Sequence, residues 1–283
     1  MSRLRTLRGG LGYAESPRWH GDELWFVDFF SRKVSTFDLA YTVRDVTEVA
    51  GMPGGLGFLP DGTPLVVSQR EMRLYAIGRN GELSLHADLS RFARGAANDL
   101  LVDPSGRAYV GHHGFDFFGG AAPQPSSLLL VEPSGVVREV ADGLTFPNGM
   151  ALSADLATLI VAESFAARLS AFAVNPDGTL GARRDWALVN GHTPDGICLD
   201  AAGAVWLASP LSGMLLRVRE GGEVLERIET AEGRWAVACA LIGRDRRLLC
   251  CLTAATTLEG MPQGKSTAYI EVTDVSVPAG GFP

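Results

Sequence analysis

The sequence predicts an all-β fold, a six-bladed β-propeller with four-stranded antiparallel blades around a central channel. Short apolar strands, each introduced by a turn, recur along the 283 residues at intervals of roughly 40–50 residues, which is the repeat length of propeller blades. Each is followed by a second apolar strand and then by a more polar one. No stretch of useful length has a helical period, which favours an all-β architecture.

The six repeats can be placed residue by residue. Their first apolar strands begin near Leu24, Leu65, Ala108, Leu159, Val205 and Leu248. The strands that follow cover 33–39, 73–81, 127–135, 168–178, 215–222 and 268–275. A β-sandwich does not predict six matched units, and a β-helix has shorter rungs. We therefore expect residues 1–283 to form one propeller domain, with the N-terminal segment 2–9 closing the last blade and removing an exposed sheet edge.

Composition limits the possible partners and the compartment. The net charge is −7 and no Lys/Arg cluster is present, which argues against nucleic acid as a partner. No apolar run reaches about 18 residues, so no membrane span is expected, and the N-terminus lacks the pattern of a signal peptide. The four cysteines form no CxxC motif and are expected to be buried, reduced thiols of a cytoplasmic protein. The partner expected is a small-molecule substrate, and the oligomeric state is left open.

Polar residues stand at matching positions in the repeats. Counting back about ten residues from the start of each apolar strand gives Glu15, Gly55, Asn98, Asn148 and Asp195 in the first five units, and an apolar stretch in the sixth. These positions fall where the innermost strand of each blade begins. Because innermost strands line the channel of a propeller, the four polar side chains should converge on one axis.

Glu15 and Asp195 would be like charges in a poorly solvated channel, which is unfavourable unless they are compensated. A divalent cation would compensate them, and carboxylate and amide oxygens suit Ca²⁺, Mg²⁺ or Mn²⁺ better than structural zinc. We expect one divalent cation, with Ca²⁺ first and Mn²⁺, Mg²⁺ or Zn²⁺ as alternatives. The competing interpretation is that the Asn-Gly and Asp-Gly pairs at 148–149 and 195–196 only form turns.

Four segments carry a resemblance to a known family. Residues 14–28, 97–111, 146–155 and 193–208 are similar, in this order, to the SMP-30/gluconolactonase/luciferin-regenerating-enzyme family. The resemblance covers essentially the whole chain. It implies a six-bladed propeller with a divalent metal in the channel, and either lactone hydrolysis or, as in some relatives, hydrolysis of P–F bonds.

The resemblance also implies roles for individual residues. Glu15, Asn148 and Asp195 match the metal ligands, and Asp195 also matches the proposed general base. Asn98 matches a residue that contacts metal or substrate, and Asp116 falls where sugar lactonases often place a substrate-binding acid. One departure concerns Ala96, because sugar lactonases have an arginine at that position; Arg94 lies two residues further back.

The cavity mouth should be built by the longest connections between strands. One is 111–127, where Phe115, Phe117 and Phe118, along with Phe29 and Phe30, could wall an apolar pocket or pack between blades. His113, in the same segment, is a candidate for substrate binding and proton transfer. Met52, Gly54 and Gly55 are expected to line the channel in blade 2, where a small residue would leave room for substrate.

The function predicted is a divalent-metal-dependent hydrolase, a lactonase in which Asp195 activates water or acts as nucleophile. The same site could instead perform phosphotriester hydrolysis or a non-hydrolytic lactone or hemiacetal rearrangement. The alternative outside enzymology is a ligand-binding propeller whose metal is structural.

Overall fold

In the computed structural model, which describes residues 3–38, 40 and 42–282, the repeats fold into six four-stranded antiparallel sheets. The predicted fold class is therefore confirmed: the sheets are the blades of a six-bladed β-propeller. Positions 1, 2, 39, 41 and 283 of the predicted domain lie outside the described residues.

The strands follow the order of the repeats. Blades 1 to 3 are β2 (Ala14–His20), β3 (Glu23–Asp28), β4 (Lys33–Phe37) and β5 (Val43–Glu48); β6 (Pro53–Phe58), β7 (Pro64–Ser68), β8 (Arg73–Ile77) and β9 (Leu83–Asp88); and β10 (Ala97–Val102), β11 (Ala108–His112), β12 (Ser126–Val131) and β13 (Val137–Leu144). Blades 4 and 5 are β14 (Pro147–Leu152), β15 (Thr158–Glu163), β16 (Arg168–Ala173) and β17 (Arg184–Leu188); and β18 (Ile197–Leu199), β19 (Val205–Ser209), β20 (Met214–Val218) and β21 (Val224–Glu229). Blade 6 is β22 (Arg234–Ile242), β23 (Leu248–Ala255), β24 (Thr267–Asp274) and β1 (Arg5–Leu11), and two short 3-10 helices cover Ser164–Ala166 and Met261–Gln263.

The first strand of each blade surrounds the axis. Strands β2, β6, β10, β14, β18 and β22 each contact the first strands of both neighbouring blades, so together they form a closed ring. The positions that match across the repeats lie at or near the start of these strands; they are Glu15, Gly55, Asn98, Asn148 and Asp195.

The chain closes the propeller with its N-terminal strand. β1 pairs antiparallel with β24, with Arg5 opposite Val272 and Leu11 opposite Ala268, and is the outermost strand of the last blade. Strands from the two ends of the chain therefore share one sheet, and the outer edge of β24 is covered.

The core lies between the blades, because each sheet is buried on both faces. In β15, Ile160 packs towards blade 5 while Leu159 and Val161 pack towards blade 3, as expected for alternating side chains of a strand. Similar apolar clusters join blades 2 and 3 and blades 5 and 6. A larger cluster joins blades 6, 1 and 2.

Two expectations from composition can be compared with the structure. All four cysteines are buried free thiols, as predicted. The neighbours Cys250 and Cys251 point to opposite faces of β23. Within the described residues, no helix combines the length and the apolar character needed to cross a bilayer.

Glu271 on β24 connects all four strands of the last blade, which makes it a test of the closure. Its buried carboxylate accepts hydrogen bonds from Thr6 Oγ1 at 2.8 Å, Thr253 Oγ1 at 2.6 Å and Arg234 Nη1 at 2.8 Å. We expect Glu271→Ala to lower the free energy of unfolding by about 2–4 kcal/mol, because it leaves buried donors without an acceptor.

The matched control is Glu48→Ala. Glu48 pairs with Arg32 at 2.8 Å, but both side chains are more than half exposed. Its removal should change the free energy of unfolding by less than about 1 kcal/mol. Urea denaturation of both variants measures the difference, and equal effects would contradict the role given to Glu271.

Candidate functional site

Bulges aim the channel-facing side chains at the axis. In blade 4, Pro147 pairs with Glu163 and Met150 with Val161, so the first strand carries one extra residue around Asn148. The same shift follows Glu15 in blade 1, Pro53 in blade 2 and Ala97 in blade 3. Because a bulge bends the strand and re-aims its side chains, each repeat turns one residue into the channel.

The register identifies that residue in each blade. It is Glu15, Gly54, Asn98 and Asn148 in blades 1 to 4, since each follows the residue that pairs with the last residue of the second strand. In blade 5 the equivalent is Asp195, whose N–H donates to Ala208 O at 2.9 Å. We call Glu15, Asn98, Asn148 and Asp195 the polar ring. In blade 2 the register selects Gly54, so the sequence prediction of Gly55 was wrong by one residue.

In blades 1, 4 and 5 the last residue of the second strand holds this arrangement in place. Asp28 accepts from the N–H groups of Gly12 and Tyr13, and Glu163 accepts from Thr145 N. Ser209 Oγ accepts from Thr193 N at 3.0 Å in the same way. In each case the bond fixes the segment that leads into a first strand, so the polar ring is held by the backbone around it.

Two members of the polar ring are in direct contact. Asn98 Nδ2 donates to Asn148 Oδ1 at 3.3 Å and to Pro147 O at 3.2 Å, so its Oδ1 is the atom that a cation could bind. Asn148 Nδ2 donates to Ser164 Oγ at 3.3 Å, and Ser164 Oγ donates to Pro194 O at 2.7 Å. This chain of hydrogen bonds connects blades 3, 4 and 5 at the axis.

A buried ion pair lies next to the polar ring. Arg18 Nη2 is 3.2 Å from Asp99 Oδ1 and also donates to Leu100 O at 2.9 Å. Arg18 is on blade 1 and Asp99 is on blade 3, so the pair bridges two blades. Arg18 is thus a buried partner of Asp99.

The channel carries uncompensated negative charge. When they are ionised, the carboxylates of Glu15, Asp99 and Asp195 bring three negative charges, and Arg18 brings one positive charge, which leaves two. Burial, and then the charge of Asp195, raises the pKa of Glu15 well above its usual range. Burial, and then the charge of Asp99, raises the pKa of Asp195 well above its usual range.

These residues fit a divalent cation. Asp195 Oδ1 is buried and has no hydrogen-bond partner within the protein, as expected of an atom that serves as a metal ligand. Two carboxylates and two amides are hard oxygen donors of the type that Ca²⁺, Mn²⁺ and Mg²⁺ prefer. Among the described residues no three His, Cys, Asp or Glu side chains gather into a metal cluster, so the amide oxygens would have to complete the coordination.

A second ring lies one step nearer the mouth. The residue that follows the second strand lines the cavity in each of blades 1 to 5; these residues are Phe29, Gln69, His113, Ser164 and Pro210. The sequence analysis singled out only His113 as a candidate site residue and named Phe29 as a wall residue. The same repeat could have found the other three, because they follow the apolar strands at a constant position.

The polar ring forms the floor of a cavity of about 160 Å³ whose walls are mainly apolar. The wall residues come from connections on one face of the propeller. They include Tyr13, Phe29, Phe117, Phe118, Phe146, Phe165, Leu211, Trp235, Leu258 and Met261. The long segment 113–125 contributes two of these phenylalanines, as the sequence analysis expected of a long connection.

The residues predicted to bind substrate lie in different places in the structure. His113 lines the cavity, and its ring stacks on Phe146 at 4.6 Å between centroids. Phe115 is buried behind the wall, where it contacts Phe146 and Phe117. Asp116 is exposed, accepts a hydrogen bond from Gly119 N at 2.9 Å and is not among the lining residues. The structure therefore does not bring Asp116 to the cavity.

Blade 2 differs from the prediction that small residues leave room for substrate. A Cβ at Gly55 would lie 2.2 Å from Leu100 N, so this glycine allows β6 and β10 to approach closely. A Cβ at Gly54 would meet Gln69 Cγ at 2.8 Å. The space is thus occupied by Gln69, and Met52 is buried in the core and does not line the cavity.

Comparison with known proteins identifies the family. Residues 13–255 match the model of the SMP-30/Gluconolactonase/LRE-like region, and the chain belongs to this family. A pentonolactonase of Haloferax volcanii is 27% identical over 236 residues, which are 81% of this chain and 77% of that protein. A 6-deoxy-6-sulfogluconolactonase of Pseudomonas putida is 32% identical over 171 residues, 58% of this chain and 54% of that protein.

A solved structure supports the fold. A luciferin-regenerating enzyme superposes with a TM-score of 0.86 at 16% identity, covering 100% of this chain and 98% of that one. At this level of identity the similarity concerns the architecture only.

The environment of His113 predicts a pH dependence of stability. Burial, followed by the charge of His112, lowers the pKa of His113 from 6.5 to about 3. Between these values the unfolded chain binds more protons than the folded one, so the free energy of unfolding falls as the pH is lowered through this window. Between pH 6.5 and pH 5 the loss from this residue should be about 2 kcal/mol.

His113→Phe removes the titrating group, so its free energy of unfolding should fall less steeply than that of the wild type below pH 6.5. His20→Phe, at a half-buried histidine stacked on Phe58, is the control and should retain most of the wild-type slope. Urea titrations at several pH values measure both. Parallel curves for the wild type and His113→Phe would show that His113 is not held neutral.

Proposed function

We propose that this protein is a divalent-cation-dependent hydrolase that opens lactones. The observation that carries the proposal is the polar ring at the floor of an apolar cavity, with Asp195 Oδ1 buried and unpartnered. Family membership supports it, and so do the two relatives named as lactonases, which act on a pentonolactone and on a 6-deoxy-6-sulfogluconolactone.

Glu15, Asn148 and Asp195 would hold the cation, with Asn98 as a further oxygen donor at the side of the substrate. When bound, a divalent cation supplies Lewis-acid polarisation of a carbonyl oxygen, an effect worth several kcal/mol in hydrolases. The ring residues can hold it without rearrangement of the backbone, because bulges and backbone hydrogen bonds already fix their positions.

Asp195 is the residue proposed to move the proton. Its carboxylate takes a proton from water as the water oxygen bonds to the lactone carbonyl carbon. The ring C–O bond then breaks, and the proton passes from Asp195 to the departing alkoxide oxygen. One lactone and one water thus give one hydroxy acid. General-base assistance of this kind contributes roughly 10²–10⁴-fold to rates.

Substitution of Asp195 tests the mechanism. Asp195→Asn keeps the size of the side chain but cannot accept the proton, so kcat/KM for δ-valerolactone should fall at least about 100-fold. Asp274→Asn, at an exposed position on β24, is the matched control and should retain full activity. Initial rates followed with a pH indicator, together with circular dichroism to verify folding, decide the outcome. Unchanged hydrolysis by folded Asp195→Asn would remove this residue from the mechanism.

Chelation separates the enzyme from a binding propeller with a structural metal. The proposal expects EDTA to abolish lactone hydrolysis and added Ca²⁺ or Mn²⁺ to restore it, with little change in melting temperature. If no lactone is hydrolysed with any divalent cation and EDTA only lowers the melting temperature, the binding-protein interpretation is favoured instead.

A further inference from the structure

We infer that the cavity selects lactones that carry an apolar alkyl or aryl substituent, and that sugar lactones are poor substrates. The inference rests on the proposed function and adds the substrate class. It is carried by the contrast between the floor of the cavity, where the reactive group would lie, and the walls, where the rest of the substrate would lie.

The walls are aromatic and continuous. Phe146 is stacked between His113 and Phe165, with centroid distances of 4.6 and 4.4 Å, and Phe117 meets the ring of Phe146 edge to face at 5.2 Å. Phe118 extends this wall past Phe117. A substrate body in this space would exchange water for aromatic surface, which favours apolar groups in proportion to the area they bury.

The wall includes a strained residue. Phe146 has φ = 56°, in the left-handed region that is unfavourable for a bulky side chain. The bulge and Pro147 follow it directly, and its ring lines the cavity. The structure thus retains an unfavourable backbone conformation at the residue that joins the aromatic wall to the polar ring, as is found at functional sites.

The rim is apolar and open to solvent. Leu211 and Leu258 are 55% and 64% exposed, and Phe165 is 47% exposed, yet all three line the cavity. Large apolar side chains grouped around a cavity mouth indicate a binding surface for an apolar ligand. A substituent long enough to leave the floor would contact them.

Polar groups for a sugar are scarce above the floor. No lysine or arginine lines the cavity in the described part of the chain. Arg94, the arginine considered in the sequence, lies beside His112 in a separate pocket, and Arg70 rests on the ring of Phe118 without lining the cavity. Ser164 and the amide nitrogen of Asn98 already bond to the protein. Gln69 Oε1 and His113 Nδ1 lack partners and could each bond one hydroxyl, but the aromatic side chains that form the rest of the walls offer sugar hydroxyls no replacement for water.

The experiment measures kcat/KM of the cation-loaded enzyme for three substrates. They are δ-valerolactone, δ-dodecalactone and D-glucono-1,5-lactone. A buried methylene contributes about fourfold to binding, so three or four methylenes inside the walls should raise kcat/KM for δ-dodecalactone about 60- to 250-fold above δ-valerolactone. D-Glucono-1,5-lactone should be hydrolysed no better than δ-valerolactone.

Rim variants connect the selectivity to the structure. Leu258→Ser and Phe165→Ser should each lower the ratio of kcat/KM for δ-dodecalactone over δ-valerolactone by about five- to tenfold, since each removes apolar contact with the substituent. Leu85, which is 57% exposed on the outermost strand of blade 2, provides the control. Leu85→Ser should leave the ratio unchanged.

The outcomes separate the two proposals. If δ-valerolactone or D-glucono-1,5-lactone is hydrolysed without preference for the alkyl lactone, or if the rim variants leave the ratio unchanged, the substrate class is overturned and lactonase activity stands. If none of the three lactones is hydrolysed with Ca²⁺, Mn²⁺, Mg²⁺ or Zn²⁺, the proposed function fails and the substrate class fails with it.

Discussion

Three carboxylates and one guanidinium buried near the axis of the propeller constrain everything else at the site. Glu15, Asp99 and Asp195 outnumber Arg18, and burial makes their charges unfavourable without a counter-ion. The fold does not avoid this cost, since it directs the carboxylates inwards by bulges and holds them with backbone hydrogen bonds. The divalent cation proposed above would balance the remaining two charges and would thereby connect the stability of the channel to its chemistry.

The repeat explains how residues far apart in sequence meet. Blades 1 to 4 turn a residue at the bulge towards the axis, and Asp195 takes the equivalent place in blade 5. In these five blades the residue after the second strand faces the mouth. The ring at the first strands is polar, and the ring after the second strands contains both polar and apolar side chains. The connections above both rings are largely apolar. The change from polar floor to aromatic wall along the axis therefore follows from which positions of the repeat carry Asn, Asp and Glu and which carry Phe.

Much of this could be predicted from the sequence. The spacing of the strands was sufficient for the six blades, and the polar ring followed from counting within the repeats. Blade 2 was misplaced by one residue, because Gly54 lies eleven residues before Leu65 and a count of ten stops at Gly55. Gln69 and Ser164 were missed because only the positions before the apolar strands, and not those after them, were compared across repeats.

Other features needed the structure. The pairing of Arg18 with Asp99 crosses from blade 1 to blade 3, and no periodicity relates the two residues. Asp116 is close to His113 in sequence, yet the loop turns its carboxylate to Gly119 at the surface. Similarly, Phe115 lies behind the wall while Phe117 lies in it, since the loop from 113 to 125 follows no strand alternation. The substrate-binding role of Asp116 stays a prediction from resemblance, and that of Phe115 stays a prediction from the aromatic residues of its loop.

The most direct measurement is anomalous diffraction from a crystal soaked in Mn²⁺. The account predicts a single strong peak on the propeller axis within coordination distance of Glu15, Asn148 and Asp195. A well-ordered channel in which these side chains point away from one another, with no anomalous peak between them, would contradict it.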